Sequence, residues 1–261
     1  MPAEVKILVE GYTNIGFVDQ SEGEKTWPTI TLVRDGDLVI VVDPGILESQ
    51  QVLIDALEKE ELTVQDVDVV CVTHSHLDHY RNIGMFPRAK TLEYYGLWDK
   101  VGVESWSENF TSNIKVLHTP GHDYTGITLL VTTGPDSGYP GVVAICGDIF
   151  WRENYPQDPK DDAYASNIER LKESRDMILK VADWIVPGHG AIYKNDKSAA
   201  TAENEVAVET KKEKAKIVVV CKKCGRKMEQ KDKCLCRPYL CFRCCECEID
   251  CDACSCSHKI F

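Results

Sequence analysis

Apolar and polar positions along this chain fall into short runs of two kinds. Val5 to Glu10 alternates weakly and reads as a strand. Thr29–Val33 and Leu38–Val42 are rich in β-branched residues, and the Asp-Gly of Arg34-Asp35-Gly36-Asp37 between them predicts a hairpin. Gln50 to Leu62 places Val52, Leu53, Ala56 and Leu57 at helical spacing among acids. Val67–Thr73 is apolar apart from Asp68, which predicts a strand buried on both faces. Asn113–Thr119, Gly126–Thr132 and Gly141–Cys146 are further strand candidates, with Gly134, Pro135, Gly138 and Pro140 breaking the last connection. Asn167 to Ala182 carries Leu171, Met177, Ile178 and Val181 on a helical stripe, and Trp184–Val186 is a short strand ended by Pro187-Gly188. Strands interleaved with helices predict an α/β protein with mixed sheets. Periodicity does not choose the architecture.

Beyond Tyr193 the character changes. Lys194 to Lys216 is rich in Lys, Glu, Ala, Asn and Thr and reads as a linker or a solvated helix. The expected division is a body over 1–196, a charged linker over 197–215 and a tail over 216–261. The 261 residues carry a net charge of −12, and the segment from Lys216 onward carries +4, leaving −16 on the rest. An acidic body repels polyanions and a basic tail attracts them. Of 13 cysteines, only Cys71 and Cys146 lie in the body. An odd count, close pairs and no secretory signal predict reduced thiolates that bind metal. No apolar run reaches the roughly 20 residues of a membrane span, and the start lacks the basic and apolar regions of a signal peptide. The expected location is the cytoplasm, with no membrane partner.

The strongest chemical signal is Thr73-His74-Ser75-His76-Leu77-Asp78-His79, directly after the buried-looking strand. Alternate residues leaving a strand point the same way, so His74 and His76 can share one metal, while Asp78 and His79, past the turn, can reach a second. Imidazole and carboxylate donors suit zinc. The rest of the set recurs in one design: His122 in Thr119-Pro120-Gly121-His122, Asp148 in Cys146-Gly147-Asp148, and His189 in Pro187-Gly188-His189-Gly190. Each follows a strand and is preceded by glycine, which lets backbone approach closely.

The order HxHxDH, His, Asp, His resembles the metallo-β-lactamase superfamily over roughly residues 5–196. The resemblance implies an αββα four-layer sandwich with the site at one edge and two zinc ions. His74, His76 and His122 would bind the first, Asp78, His79 and His189 the second, and Asp148 would bridge. Asp43, in Val42-Asp43-Pro44-Gly45, resembles the family's early aspartate, which orients a ligand histidine; its other reading is turn formation. His118 does not occupy a ligand position and is expected to pack or to support a ligand. Diiron members that reduce oxygen carry Glu at the position of His76, so His76 implies hydrolysis. The implied chemistry is attack by a metal-bridging hydroxide, with Asp78 and Asp148 handling the proton and no Ser or Cys nucleophile.

Of two readings of the substrate class, phosphodiester cleavage of a ribonuclease type ranks first, with small-molecule acyl hydrolysis as the alternative. The segments Asn82–Pro87, Cys146–Phe150 and Glu173–Gly190 resemble the metallo-β-lactamase domain-containing protein 1 group, which implies phosphodiester cleavage of RNA or another nucleic acid. The group lacks the cysteine tail and carries Gly where this chain has Arg81, a residue that could contact phosphate or form a surface ion pair. Against that reading, the −16 body favours a small-molecule acyl substrate: a thioester, lactone or β-lactam. In the tail, Cys221-Lys222-Lys223-Cys224 and Cys241-Phe242-Arg243-Cys244 have the spacing of a four-thiolate zinc site. Cys234, Cys236, Cys245, Cys247, Cys251, Cys254, Cys256 and His258 could hold further zinc ions, so the alternative role of the tail is metal storage or delivery. Tyr239 and Phe242 could stack on bases. Oligomeric state is not legible.

Overall fold

The computed structural model describes residues 2–15, 23–196, 218–220 and 227–229. The chain divides into two units, Met1–Ala202 and Glu203–Phe261.

In the first unit a seven-stranded sheet has the order β1-β4-β5-β6-β7-β8-β9. Its strands are β1 (Glu4–Val9), β4 (Ile30–Asp35), β5 (Leu38–Val42), β6 (Val69–Cys71), β7 (Lys90–Glu93), β8 (Gly96–Trp98) and β9 (Val103–Glu104). A two-stranded ribbon, β2 (Tyr12–Thr13) and β3 (Thr26–Trp27), lies between β1 and β4 in sequence. The second sheet has five strands in sequence order, β10 (Ile114–His118), β11 (Ile127–Thr133), β12 (Gly141–Ile145), β13 (Trp184–Val186) and β14 (Tyr193–Lys194). Pairing is antiparallel except for β5–β6, β6–β7 and β12–β13, which are parallel.

Strand alternation builds three apolar layers. Val33, Ile40, Val42, Val69 and Cys71 face Val116, Ile127, Leu129, Val131, Val143 and Ile145 between the two sheets. The opposite face of the first sheet (Leu32, Val41, Val70) packs on Leu53 and Leu57 of α1 (Gln50–Lys59). The opposite face of the second (Leu130, Ala144, Ile185) packs on Leu171 and Ile178 of α3 (Ile168–Val181). The layers are therefore αββα, as the resemblance implied. The Arg34–Asp37 hairpin also forms, with Gly36 in the left-handed region that this tight turn requires.

Three expected boundaries shift. Helix α1 stops at Lys59 because Glu60 closes it and Glu61 turns left-handed at φ 58°. The run over 67–73 is paired only over Val69–Cys71. Before it, the Asp68 carboxylate accepts the Val39 N–H, and after it Thr73 peels off to meet Asp43. Strands β7 to β9, rich in Lys, Glu and Trp, had no expected counterpart.

The parallel pairs decide where the site lies. Strands β5, β6, β12 and β13 all end at one edge, followed by Asp43, Thr73-His74, Asp148 and His189. Links between the sheets close that edge: Ile127 N–H donates to the Thr73 carbonyl at 2.8 Å, and Thr29 N–H to the Gly188 carbonyl at 2.6 Å. In the second unit the described residues form one antiparallel hairpin, β15 (Val218–Val220) with β16 (Lys227–Glu229). Cys221, Cys224, Cys241, Cys244 and the other tail cysteines lie outside the described residues. No helix among the described residues is long and apolar enough to cross a membrane.

Candidate metal centre

All seven expected ligands converge. One atom each of His74, His76, His122 and Asp148 lie within 4.8 Å of one another, and so do one atom each of Asp78, His79 and His189. Asp148 joins the two groups: its Oδ2 is 3.3 Å from His122 Nε2 and 3.2 Å from His189 Nε2, and its Oδ1 is 3.3 Å from His79 Nε2. His189 Nε2 lies 3.6 Å from Asp78 Oδ2.

Local backbone explains the convergence. His74 and His76 leave the end of β6, and Asp78 and His79 sit on the short helix α2 (Leu77–Tyr80), whose turn carries them round to the neighbouring position. Gly147 adopts φ 52°, and a Cβ there would lie 2.3 Å from Thr73 Oγ1. At Gly188 a Cβ would lie 1.7 Å from Asp148 Oδ1. Glycine at 147 leaves room for Thr73 and the His74 ring, and glycine at 188 leaves room for the Asp148 carboxylate.

The imidazoles are held by their far nitrogens. His79 Nδ1 donates to Asp43 Oδ2 at 2.8 Å. Thr73 donates its N–H to Asp43 Oδ1 and its hydroxyl to Oδ2, so its oxygen accepts from His74 Nδ1 at 3.1 Å. Asp43 thus fixes two ligands, one in each group, from a left-handed backbone that aspartate tolerates (φ 50°). His189 Nδ1 donates to the Trp27 carbonyl at 3.0 Å, and His122 Nδ1 to Asp162 Oδ2 at 2.8 Å. These bonds assign the Nδ1–H tautomer and turn four bare Nε2 atoms inward. His76 is reversed, with Nδ1 in the cluster 3.1 Å from His122 Nε2 and Nε2 towards Asp123.

Donors this close need a cation between them. His74 Nε2, His79 Nε2 and Asp148 Oδ1 are buried and have no hydrogen-bond partner, and orphaned polar atoms of this kind are rare in folded proteins. Without an ion, burial pushes His74 well below the usual histidine range. Burial opposes charge on His79 as well, but the Asp148 and Asp43 carboxylates outweigh it and hold that ring well above. Burial would raise Asp148, but His189, His79 and His122 hold it well below the usual carboxylate range. Five imidazoles and two carboxylates in two adjoining groups fit two divalent ions.

A family model described as the metallo-beta-lactamase superfamily matches residues 28–189. The chain belongs to the metallo-β-lactamase superfamily. Metallo-beta-lactamase domain-containing protein 1 of Xenopus laevis is 33% identical over 215 residues, covering 78% of this chain and 87% of that protein. The human protein of the same name is 30% identical over 173 residues, covering 64% of this chain and 63% of that protein. In three dimensions the chain is similar to the crystal structure of a candidate metallo-beta-lactamase from Thermotoga maritima, with TM-score 0.58, 25% identity and coverage of 74% of this chain and 100% of that one. Membership and the clustered donors make this metallo-β-lactamase-fold chain a metallohydrolase.

The remaining expected residues separate. His118 is exposed, packs between Tyr94 and Trp106 with ring centroids 4.6 Å from each, and lies outside the cluster. Arg81 is exposed at the end of α2 and makes no ion pair with a described residue, so the expected surface pair does not form there. Sequence reasoning gave no role to Thr73, although it opens the histidine motif, and missed Asp162, Thr26 and Trp151, none of which lies in a ligand motif. Above the cluster opens a cleft of about 440 Å³. Its walls include Ile15, Ile46, Leu77, Trp151 and Tyr164, and Tyr164 donates its hydroxyl to Glu24 at 3.2 Å.

Proposed function

We propose that this metallohydrolase uses two zinc ions to cleave a small acyl substrate, a thioester, lactone or β-lactam, by direct attack of water. The observation that carries the substrate class is the cleft lining. It offers apolar and aromatic surface and one carboxylate outside the donor set, Glu24, and no Lys or Arg lines it among the described residues. The four carboxylates of Asp43, Asp78, Asp148 and Asp162 already match the charge of two dications. Such a site has little positive field left for a phosphodiester, whose binding surfaces are usually basic.

Two ions in the cluster would lower the pKa of a shared water towards neutrality and polarise the scissile carbonyl. The protein supplies the rest. Asp78 Oδ2 accepts the Thr26 hydroxyl at 3.1 Å and borders the cleft, where it can take the proton lost by the attacking water. Asp148 holds the two donor groups in register. Trp151 and Ile46 lend apolar surface to the cleft beside the cluster. The Ser75 hydroxyl and the Cys146 thiol are not set up as nucleophiles. Ser75 donates to Asp123, and Cys146 is buried against the Val186 carbonyl with its thiol pushed far up by burial.

Phosphodiester cleavage of RNA or DNA is the second reading. It is supported by the three segments that resemble the domain-containing protein 1 group and by the +4 tail, which would attract a polyanion. The test is a turnover panel on zinc-loaded protein with a thioester, a lactone, a β-lactam, a small phosphodiester and structured and single-stranded RNA. A double variant, His74→Ala with Asp148→Ala, serves as control. Acyl turnover that vanishes in the control, with RNA left intact, is expected. RNA cleavage that vanishes in the control, with acyl substrates inert, would reverse the order and make the tail an RNA-binding module.

A further inference from the structure

His122 is the one buried ligand whose supporting group comes from a loop that no motif marks. Asp162 follows a single 3-10 turn, Pro159–Asp161, and its side chain is fully buried. Its Oδ2 accepts His122 Nδ1–H at 2.8 Å, and its Oδ1 accepts the Tyr164 backbone N–H at 3.0 Å. Trp151 Nε1 also points at His122 Nδ1, at 3.4 Å, but an indole can only donate and that ring nitrogen already carries its hydrogen towards the carboxylate. The tryptophan contact is therefore one of ring edges, with the planes at 90°.

The same loop is fastened to the turn that carries His122. Ser166 N–H donates to the His122 carbonyl and Asn167 N–H to the Gly121 carbonyl, both at 2.9 Å, and the Ser166 hydroxyl donates to Gly121 at 3.0 Å. Gly121 has φ 144°, and a Cβ there would lie 2.2 Å from the Leu171 backbone. Behind the loop, the Arg175 guanidinium donates to the Ile149 and Pro156 carbonyls. Asp162 therefore sits in a braced frame and presents one oxygen to a metal ligand and the other to the cleft wall.

We infer that Asp162 is the positioning residue of this centre: its carboxylate fixes the tautomer and angle of His122 for one of the two ions, and through Tyr164 it also fixes the aromatic wall that meets substrate. The inference rests on the two-ion reading above. It differs from the role of Asp43, which supports one ligand in each group and so affects both ions. Asp162 supports one ligand in the group of His74, His76, His122 and Asp148 only.

The test uses the full chain with Asp162→Ala and Asp162→Asn, and Asp161→Asn as an exposed neighbour control. Zinc affinity is read by competition with a chromophoric chelator, ion geometry by the visible spectrum of the cobalt-substituted protein, and turnover as separate kcat and KM. The tail cysteines are common to all variants, so differences from wild type read the histidine site. Loss of an outer hydrogen-bond partner typically weakens a metal about 10–100-fold. In Asp162→Ala one ion is expected to weaken by about that factor while the other stays within about twofold. One cobalt band shifts, and KM rises because Tyr164 is released. Asp162→Asn falls between, since its amide oxygen can keep one of the two bonds. Circular dichroism of the metal-free variants shows whether each folds, and if the alanine variant does not, the asparagine variant is read. Wild-type affinity for both ions with an unchanged cobalt spectrum overturns the inference, and so does equal weakening of both. If wild-type protein binds only one ion in this site, the two-ion reading fails, and Asp162 is still judged by whether that ion weakens in its variants.

Discussion

Replacing Gly188 with alanine adds a single methyl group and should dismantle the metal centre. The Cβ would lie 1.7 Å from Asp148 Oδ1, where side-chain carbons essentially never come within 3.0 Å, so one partner must move by at least 1.3 Å. Backbone conformation is no obstacle, because Gly188 is not in the positive-φ region. Gly188 is tethered by its own N–H to the Phe150 carbonyl and by the Thr29 N–H to its carbonyl, so the displacement falls on the carboxylate, which is buried and placed between His79, His122 and His189. Metal–ligand bonds tolerate only about 0.2 Å, so a 1.3 Å displacement removes Asp148 as a shared ligand. A misplacement of about 1 Å near reacting groups costs on the order of 100-fold in rate. Metal content by plasma mass spectrometry and kcat/KM on the best substrate of the panel are the assays. At least one ion per chain should be lost and kcat/KM should fall about 100-fold or more. Gly84→Ala, at an open position beside the histidine motif, should change neither. A Gly188→Ala protein with wild-type metal content and turnover would refute the geometry from which the effect is worked.

Other consequences follow from the same contacts. Asp43→Ala removes the acceptor of His79 Nδ1 and of both Thr73 groups, so both ions should weaken, each by about 10–100-fold. A chelator titration that shows only one ion affected would contradict that. Zinc loading of the histidine site at neutral pH should release roughly one to two protons, read as the difference from the His74→Ala, Asp148→Ala double variant so that release by the tail thiols cancels, because His79 and His122 are held above the usual histidine range in the metal-free protein. Calorimetry in buffers of different ionisation enthalpy measures this, and no buffer dependence would count against it. The sign for stability is that of a raised histidine. The charged rings stabilise the metal-free fold fully below the unfolded histidine pKa of about 6.5 and lose that contribution as pH rises through their raised values. Cys71 and Cys146 are buried with thiols pushed up by burial, so native protein alkylated at pH 8 and mapped by mass spectrometry should leave both unlabelled.

Much of the centre could be read from the chain because its ligands obey a local rule. Each is a histidine or aspartate just past an apolar run, often behind a glycine, and a sheet edge gathers such residues whatever the intervening length. The strands of the two inner layers were legible for the same reason, since burial on both faces leaves unbroken runs such as Val69–Cys71 and Ile127–Thr133. What escaped is support that depends on three-dimensional proximity. Asp162 lies among Asp158, Asp161 and other acids on a loop, and nothing at that level sets it apart from a solvated residue. What marks it is a fully buried side chain bonded to His122, which comes from a separate segment of the chain. Strands β7 to β9 escaped because charged and aromatic residues hide their alternation. The substrate preference also depended on the cleft, since the sequence displays net charge but not which charges line a cavity.

The central claim is that the seven converging side chains hold two metal ions. Anomalous diffraction from zinc-loaded crystals, collected on both sides of the zinc edge, tests it most directly. Two peaks are expected, one among His74, His76, His122 and Asp148 and one among Asp78, His79, His189 and Asp148. A single peak, or none at these side chains, would contradict it.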